Sequence, residues 1–243
     1  MIRCDCAVCR STDPRDNRTR ASIYLETPEC KFVVDTGTDF RTQCLRENIW
    51  EVDAVILTHS HTDHIMGFDD LRCFAWPRGG RMPVYASAET MADMERVYEF
   101  AFKATHRWPG YLHPEPHIIC GSFSLGETTI TPLPVPHGRS ETYGYLFERG
   151  GAKLLAYLSD CSAVPDEIAG KISGVKVMVI DALRHKPHPT HLSVAQAIEV
   201  AERVQPGRTL FTHICHDLAQ SAEAELPPNT GLAYDGLKLT IEP

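Results

Sequence analysis

The chain has 243 residues, 43% hydrophobic and 23% charged, an ordinary globular composition that argues against a disordered protein. At about 150 residues per domain, the length allows one large domain or two small ones. A net charge of −8 argues against the basic face that a general nucleic-acid or anionic-membrane binder needs, but leaves room for a local basic pocket.

The N-terminal run Met1-Ile2-Arg3-Cys4-Asp5-Cys6 lacks the apolar core of a signal peptide. No apolar run approaches the roughly 18 residues of a membrane span. The expectation is a cytoplasmic protein with no membrane partner. Nine cysteines are an odd number, and in that compartment they read as thiols or metal ligands rather than a disulfide framework. Strand-like runs follow at 22–26, 31–35, 54–58, 129–135, 143–148, 153–159, 175–181, 208–213 and 237–241, most of them bounded by Gly, Pro, Asp or Asn. Helical patterns cover 88–104 and 193–205. In the second, Val194, Ala197, Ile198, Ala201 and Val204 keep helical spacing, Ser193 with Gln196 forms a capping box, and Pro206 ends it. This order predicts an α+β protein whose two sheets pack face to face with helices outside, four layers in all. No repeat or linker divides it, so 1–243 reads as a single domain.

The most informative segment is Thr58-His59-Ser60-His61-Thr62-Asp63-His64, which follows a buried strand. Alternate residues at a strand end share a face, so His59 and His61 can aim at one point. A turn into a helix can aim Asp63 and His64 at a second. Imidazole and carboxylate are zinc-type ligands. Two adjacent points suit two metals about 3.5–4 Å apart.

The His-x-His-x-Asp-His run after an apolar strand resembles the metallo-β-lactamase superfamily. That resemblance implies an αββα sandwich with a dinuclear site, and later strand ends offer its remaining ligands. His137 follows the apolar run 131–135, Asp160 ends the run 153–159, and His213 ends the run 208–213. Carried over, the pattern gives His59, His61 and His137 to one metal. It gives Asp63, His64 and His213 to the other, with Asp160 bridging. Asp35, in Asp35-Thr36-Gly37, matches the superfamily's early Asp-x-Gly and is expected to orient ligands from behind. Two divalent ions, with Asp63, Asp160 and a bridging hydroxide, leave roughly +1, which suits an anionic substrate. In the resemblance, a bridging aspartate favours phosphodiesterases, thioesterases and nucleases over lactam hydrolysis.

Cys4, Cys6 and Cys9 place three thiols in six residues. Alone they read as a redox pair, surface thiols or a metal site. Thr212-His213-Ile214-Cys215-His216 adds a remote histidine, and three cysteines with His216 would close a tetrahedral Cys₃His site of the structural type. The Cys-x-Cys-x-x-Cys run, Asp35-Thr36-Gly37-Thr38-Asp39-Phe40-Arg41, His64-Ile65-Met66-Gly67-Phe68-Asp69-Asp70-Leu71-Arg72 and Thr212 to His216 together resemble the cyclic-phosphate phosphodiesterase family of phosphonate catabolism, over nearly the whole chain. The resemblance implies opening of a small cyclic phosphodiester by a hydroxide bridging two metals, Zn or Mn, with one structural Zn at the 4–9 clip. It points to Asp63 and His191 as candidate catalytic residues. His191 would protonate a leaving alkoxide or hydrogen-bond the phosphoryl oxygen. His188 is an alternative partner, and Asp181 would support a ligand or His191.

Relatives of this kind open with a strand and a Gly-rich turn ahead of the cysteines. Only three residues precede Cys4 here, so either the start lies upstream or the first strand is lacking, which would leave a neighbouring strand as an edge. The expected partner is a small anionic phosphodiester, with no stable nucleic-acid partner; a homodimer is allowed. Competing readings are a thioester hydrolase similar to glyoxalase II, a tRNA-processing endonuclease and a zinc-stabilised scaffold. His106, His113 and His117 read as loop residues, and Asp235 as a turn residue. Cys30, Cys44, Cys73, Cys120 and Cys161 read as buried small apolar groups. Phe74, Trp76, Trp108 and Tyr111 read as core or rim packing.

Overall fold

The structure, a computed structural model, describes residues 1–103, 105 and 110–243. The chain forms two compact units, one of residues 20–127 and one of residues 1–19 with 128–243. In the first, β1 (Ile23–Glu26) and β2 (Lys31–Val34) pair antiparallel. There follow α1 (Phe40–Glu47), β3 (Ala54–Ile56), α2 (Thr62–Ile65), α3 (Arg72–Ala75), β4 (Arg81–Ala86), α4 (Ala88–Val97), α5 (Glu99–Phe102), β5 (His113–Ile118) and β6 (Phe123–Leu125). The sheet runs β1-β2-β3-β4-β5, parallel from β2 onward. Parallel strands are covered on both faces and read as unbroken apolar runs. Ala54, Val55, Ile56 and Leu57 fit this and are all buried, Val55 and Leu57 among Val33, Ile65, Phe68, Leu71, Met82, Val84 and Met94.

The second unit contains β7 (Thr128–His137), β8 (Ser140–Arg149), β9 (Ala152–Leu158), α6 (Asp166–Ile172), β10 (Val177–Asp181), α7 (Val194–Val204), β11 (Arg208–Thr212) and β12 (Thr230–Leu232). Within this unit the strands run β12-β11-β10-β9-β8-β7. β7 to β9 form an antiparallel meander, and β9 to β12 are parallel. Pro132, Pro134 and Pro136 alternate along β7, so their missing N–H groups fall on one side of the strand and leave the ladder to β8 intact. A separate core gathers Leu133, Leu146, Leu158, Ile172, Met178, Ile180, Val200 and Phe211.

The expected α+β class with two sheets is therefore present, and the differences are local. The helix expected over 88–104 stops at Val97. Tyr98 leaves helical dihedrals, is buried, and donates its hydroxyl to the Ile65 carbonyl at 2.8 Å before α5 begins. Residue 104 lies outside the described residues, as do His106 and Trp108. His113 and His117 sit in β5 rather than a loop. Pro114 and Pro116 hid that strand, but proline is tolerated where a strand ends a sheet. The strand expected over 237–241 is absent. That stretch is mostly solvent-exposed, and the sheet ends instead at β12, where Gly231 weakens the sequence signal. Cys73 and Cys120 are exposed and Cys30 is half-buried; only Cys44 and Cys161 are buried as expected. Trp76 and Tyr111 stand out into solvent, while Phe74 meets the Phe40 ring edge-on at 6.2 Å. Among the described residues, no helix is long and apolar enough to cross a membrane.

The capping box of α7 is formed as its sequence predicts. The Ser193 hydroxyl accepts from the Gln196 backbone N–H at 3.4 Å, and the Gln196 side-chain Oε1 accepts from the Ser193 backbone N–H at 2.9 Å. Ser193→Ala should cost about 1 kcal/mol. In a domain of this size that lowers the melting temperature by about 2–4 °C, read by circular dichroism. An unchanged melting curve would mean that the cap contributes nothing net.

Candidate metal centres

In the 20–127 unit, β3 delivers Thr58 and His59 to the end of the sheet, and the chain turns through Ser60 and His61 into α2. His59 is buried and His61 exposed, with His59 Nε2 and His61 Nδ1 2.9 Å apart. His64 lies one turn into α2, buried, with Nε2 3.7 Å from the Asp63 carboxylate. The His59 and His64 ring centroids are 4.3 Å apart. Four residues are thus gathered whose donor atoms are those of an imidazole and carboxylate metal site.

Asp35 fixes this arrangement. It has no solvent exposure and a left-handed backbone, φ 65°. That conformation costs about 1–2 kcal/mol for most L-residues and is best tolerated by Gly, Asn and Asp. Its carboxylate accepts from the Thr58 N–H and the Thr58 hydroxyl, both at 2.8 Å, and lies 2.7 Å from His64 Nδ1. With Nδ1–H given to Asp35, the His64 Nε2 is left for coordination. The backbone adds a clasp: Thr36 N–H donates to the His64 carbonyl, and Gly67 N–H donates back to the Thr36 carbonyl. A Cβ at Gly37 would strike the Asp63 carbonyl, and one at Gly67 would strike the Gly37 carbonyl. Both glycines are required by close approach.

In the other unit, His137 ends β7, Asp160 follows β9, Asp181 ends β10 and His213 follows β11. His137 and Asp160 are buried. The Asp160 carboxylate lies 3.7 Å from His137 Nε2 and 3.3 Å from His213 Nε2. His213 has a left-handed backbone, φ 54°, and its ring stacks on His191 at 4.7 Å. His137 Nδ1 sits 2.8 Å from the Thr190 carbonyl, which fixes it as the donor nitrogen and leaves Nε2 toward Asp160. Two carboxylates and three imidazoles therefore converge on the ends of parallel strands.

Of the two partners the sequence left open to Asp181, a metal ligand or His191, it is His191 that it contacts directly. Its Oδ2 accepts from the Cys161 N–H at 3.0 Å and lies 2.7 Å from His191 Nδ1. Burial pushes the Asp181 carboxyl well above its ordinary range; His213 and the Cys161 N–H pull against that. His188 stands beside His191, ring centroids 5.1 Å apart, with its Nδ1 turned back to accept from the Thr190 N–H at 3.3 Å.

Cys4, Cys6, Cys9 and His216 form a third group, with all four donor atoms within 4.8 Å of one another. The Cys4 and Cys6 sulfurs are each 3.5 Å from His216 Nδ1. Tetrahedral zinc, with its usual Zn–S and Zn–N lengths, sets such pairs about 3.5 Å apart. The Cys6 thiol is held down at about 6, chiefly by its contact with His216. A thiol that is already a thiolate near neutral pH is ready to ligate.

Sequence reasoning passed over Asp16 and Arg18 here. Asp235 lies in a turn, as the sequence suggests, and is also an anchor: it accepts from the Thr19 N–H and from the Thr19 hydroxyl at 2.5 Å. Arg18 donates to the Gln220 side chain at 2.7 Å, and Asp16 accepts from the Gln220 N–H at 2.6 Å. These contacts join segments 200 or more residues apart, and no local spacing betrays them.

Residues 31–214 match the family model of the β-lactamase superfamily domain. A solved diphosphatase of the PhnP family is 40% identical, with a TM-score of 0.89 over 98% of this chain and 90% of that one. An octanoyltransferase from Porphyromonas gingivalis is 32% identical over 99% of this chain but only 49% of its own length. The exodeoxyribonuclease YycJ of Bacillus anthracis is 28% identical over 66% of this chain and 57% of its own. The chain thus spans only about half the length of these two curated relatives. The fold is one that implies divalent-metal binding, and the histidine and aspartate groups are of the matching chemistry. The chain belongs to the metallo-β-lactamase superfamily, and within it its likeness is to the PhnP family.

Proposed function

We propose that the protein is a metal-dependent phosphodiesterase that opens small, cyclic phosphodiesters. The observation that carries this reading is the His191–Asp181 pair, 2.7 Å apart, with Asp160, His137 and His213 close by. The proposed ligands are His59, His61 and His137 for one divalent ion and Asp63, His64 and His213 for another. Asp160 is shared, and Cys4, Cys6, Cys9 and His216 hold a structural zinc. When bound, the catalytic ions supply Lewis acidity and lower the pKa of a water toward neutrality.

The chain's own residues do the rest. Asp181 holds His191 through Nδ1, so the proton to be moved sits on Nε2. An alkoxide is a poor leaving group, and His191 Nε2 protonates it as the phosphorus–oxygen bond breaks. Asp63, whose carboxylate lies 3.7 Å from His64 Nε2, would share in holding the second ion beside that histidine. A thioester releases a stable thiolate and has no use for such an acid, which is why the diester reading is preferred. Two relatives with phosphate-cleaving names, a diphosphatase and an exodeoxyribonuclease, lend support. A second reading, a diphosphate substrate, is favoured by the diphosphatase relative. It differs in its leaving group, a phosphate, which needs little protonation.

Elemental analysis of protein purified without chelator should find about three divalent ions per chain. His216→Ala should remove one of them, lower the melting temperature and expose Cys4, Cys6 and Cys9 to thiol reagents. The loosening should stop near residue 12, because Asp16, Arg18 and Thr19 have anchors of their own. His61→Ala should abolish turnover with a smaller effect on melting. A folded sample holding one ion or none defeats the assignment.

Substrate class is tested with ribose and nucleoside cyclic phosphates, nitrophenyl diesters, a diphosphate, a glutathione thioester, a chromogenic lactam and long RNA, each with Zn²⁺ and with Mn²⁺. The small cyclic diesters should turn over and RNA should not. His191→Ala should slow the cyclic diesters by about 10²–10⁴-fold, and the nitrophenyl and diphosphate substrates much less. Asp181→Asn should shift the same substrates in the same direction. Dominant thioester or lactam turnover would overturn the reading.

A further inference from the structure

The His-x-His-x-Asp-His segment is held by one more element, which none of its own residues announces. Ser60, between the two histidines, donates its hydroxyl to the Asp93 carboxylate at 2.5 Å. That is the length of a charge-assisted O–H···O bond, the stronger kind. Asp93 lies on α4, more than thirty residues away, and its other oxygen accepts from Arg96 Nη2 at 2.8 Å. The same stretch of chain touches the segment a second time, where Tyr98 donates to the Ile65 carbonyl at 2.8 Å. Between those two contacts lie His61, Asp63 and His64.

The brace is itself rigid. α4 is capped by Ser87, whose hydroxyl accepts from the Thr90 N–H at 3.1 Å, and it buries Met91 and Met94 in the unit's core. On the other side of the segment, Asp35 secures Thr58 and His64. Neither of those bonds reaches His61, which is solvent-exposed and sits at the turn from strand to helix. Ser60 ties that turn to α4, in addition to the turn's own bond from the His64 N–H to the His61 carbonyl.

We infer that Asp93, acting through Ser60, is a positioning residue that sets the angle at which His59 and His61 present their ring nitrogens to a divalent ion. This rests on the reading of the segment as a metal site. Partners standing behind a metal ligand typically change affinity or activity by about 10–100-fold when removed.

The test uses the full chain loaded with Co²⁺ and titrated with a chelator. Cobalt on the cysteine clip is marked by thiolate charge-transfer absorption, and cobalt held by nitrogen and oxygen is not, so the two populations are read separately. Ser60→Ala and Asp93→Ala should each weaken the nitrogen and oxygen population by about 10–100-fold and alter its d–d spectrum, leaving the clip band unchanged. The double variant should be no weaker than either single one, because the two residues share one bond. Ser60→Thr, which keeps the hydroxyl, should restore affinity. Melting curves of the same samples detect a purely structural role. If melting falls while the folded protein keeps wild-type cobalt affinity, or if the two losses add, the inference is wrong. A wild type that binds cobalt only at the clip overturns the metal-site reading, and this inference with it.

Discussion

A buried carboxylate at the end of a strand is the interaction on which each unit's chemistry depends. Burying a charge is costly unless donors surround it. Asp35 meets three, from the Thr58 N–H, the Thr58 hydroxyl and His64. These bind the ends of β2 and β3 to α2 and fix the tautomer of a histidine at the same time. The strained backbone of Asp35 persists because its side chain and the close approach of Gly37 and Gly67 over-determine it. Asp181 does the equivalent in the other unit, holding the loop after β9 through Cys161 and the entry to α7 through His191. His64 and His191 are therefore each held by a buried carboxylate of their own unit.

Much of this was legible in the sequence because strand ends carry a strong signal. An apolar run that stops at His59, His137, Asp160 or His213 places a polar residue where a parallel sheet has its loops. The His-x-His-x-Asp-His run is too dense in donors to be an ordinary turn. Asp35 was legible for the same reason. What was not legible depends on partners distant in sequence. β5 reads as a loop because prolines deny it a strand pattern, and only its place at the end of a sheet makes them harmless. The break at Tyr98 goes with a contact that no local pattern shows, its hydroxyl bonded to the Ile65 carbonyl. Residues 237–241 alternate like a strand but find no sheet to join. Ser60 and Asp93 are unremarkable until α4 brings them together.

The cysteine clip shows the same division between what spacing can and cannot reveal. Three thiols in six residues announce a site, but only the structure sets the His216 ring 3.5 Å from two of them. The depressed Cys6 thiol follows from that contact. The segment that carries the clip is not held by the clip alone. Arg18 is largely buried, and its ion pair with Asp16 sits among backbone and side-chain partners at Leu218 and Gln220. Breaking such a knot leaves a buried charge uncompensated, a greater cost than losing a surface pair. The clip thus governs the first dozen residues, and the knot governs those that follow.

The overall charge of the chain does not describe every part of it. The chain carries −8, yet Arg184, His188, His191 and His213 are gathered near one another in one unit. Burial first, and then the positive charge of His191, Arg184 and His213, push His188 below its ordinary range. The cluster is answered within the same unit: Asp217 lies 3.6 Å from Arg184, Asp181 lies 2.7 Å from His191, and Asp160 lies 3.3 Å from His213.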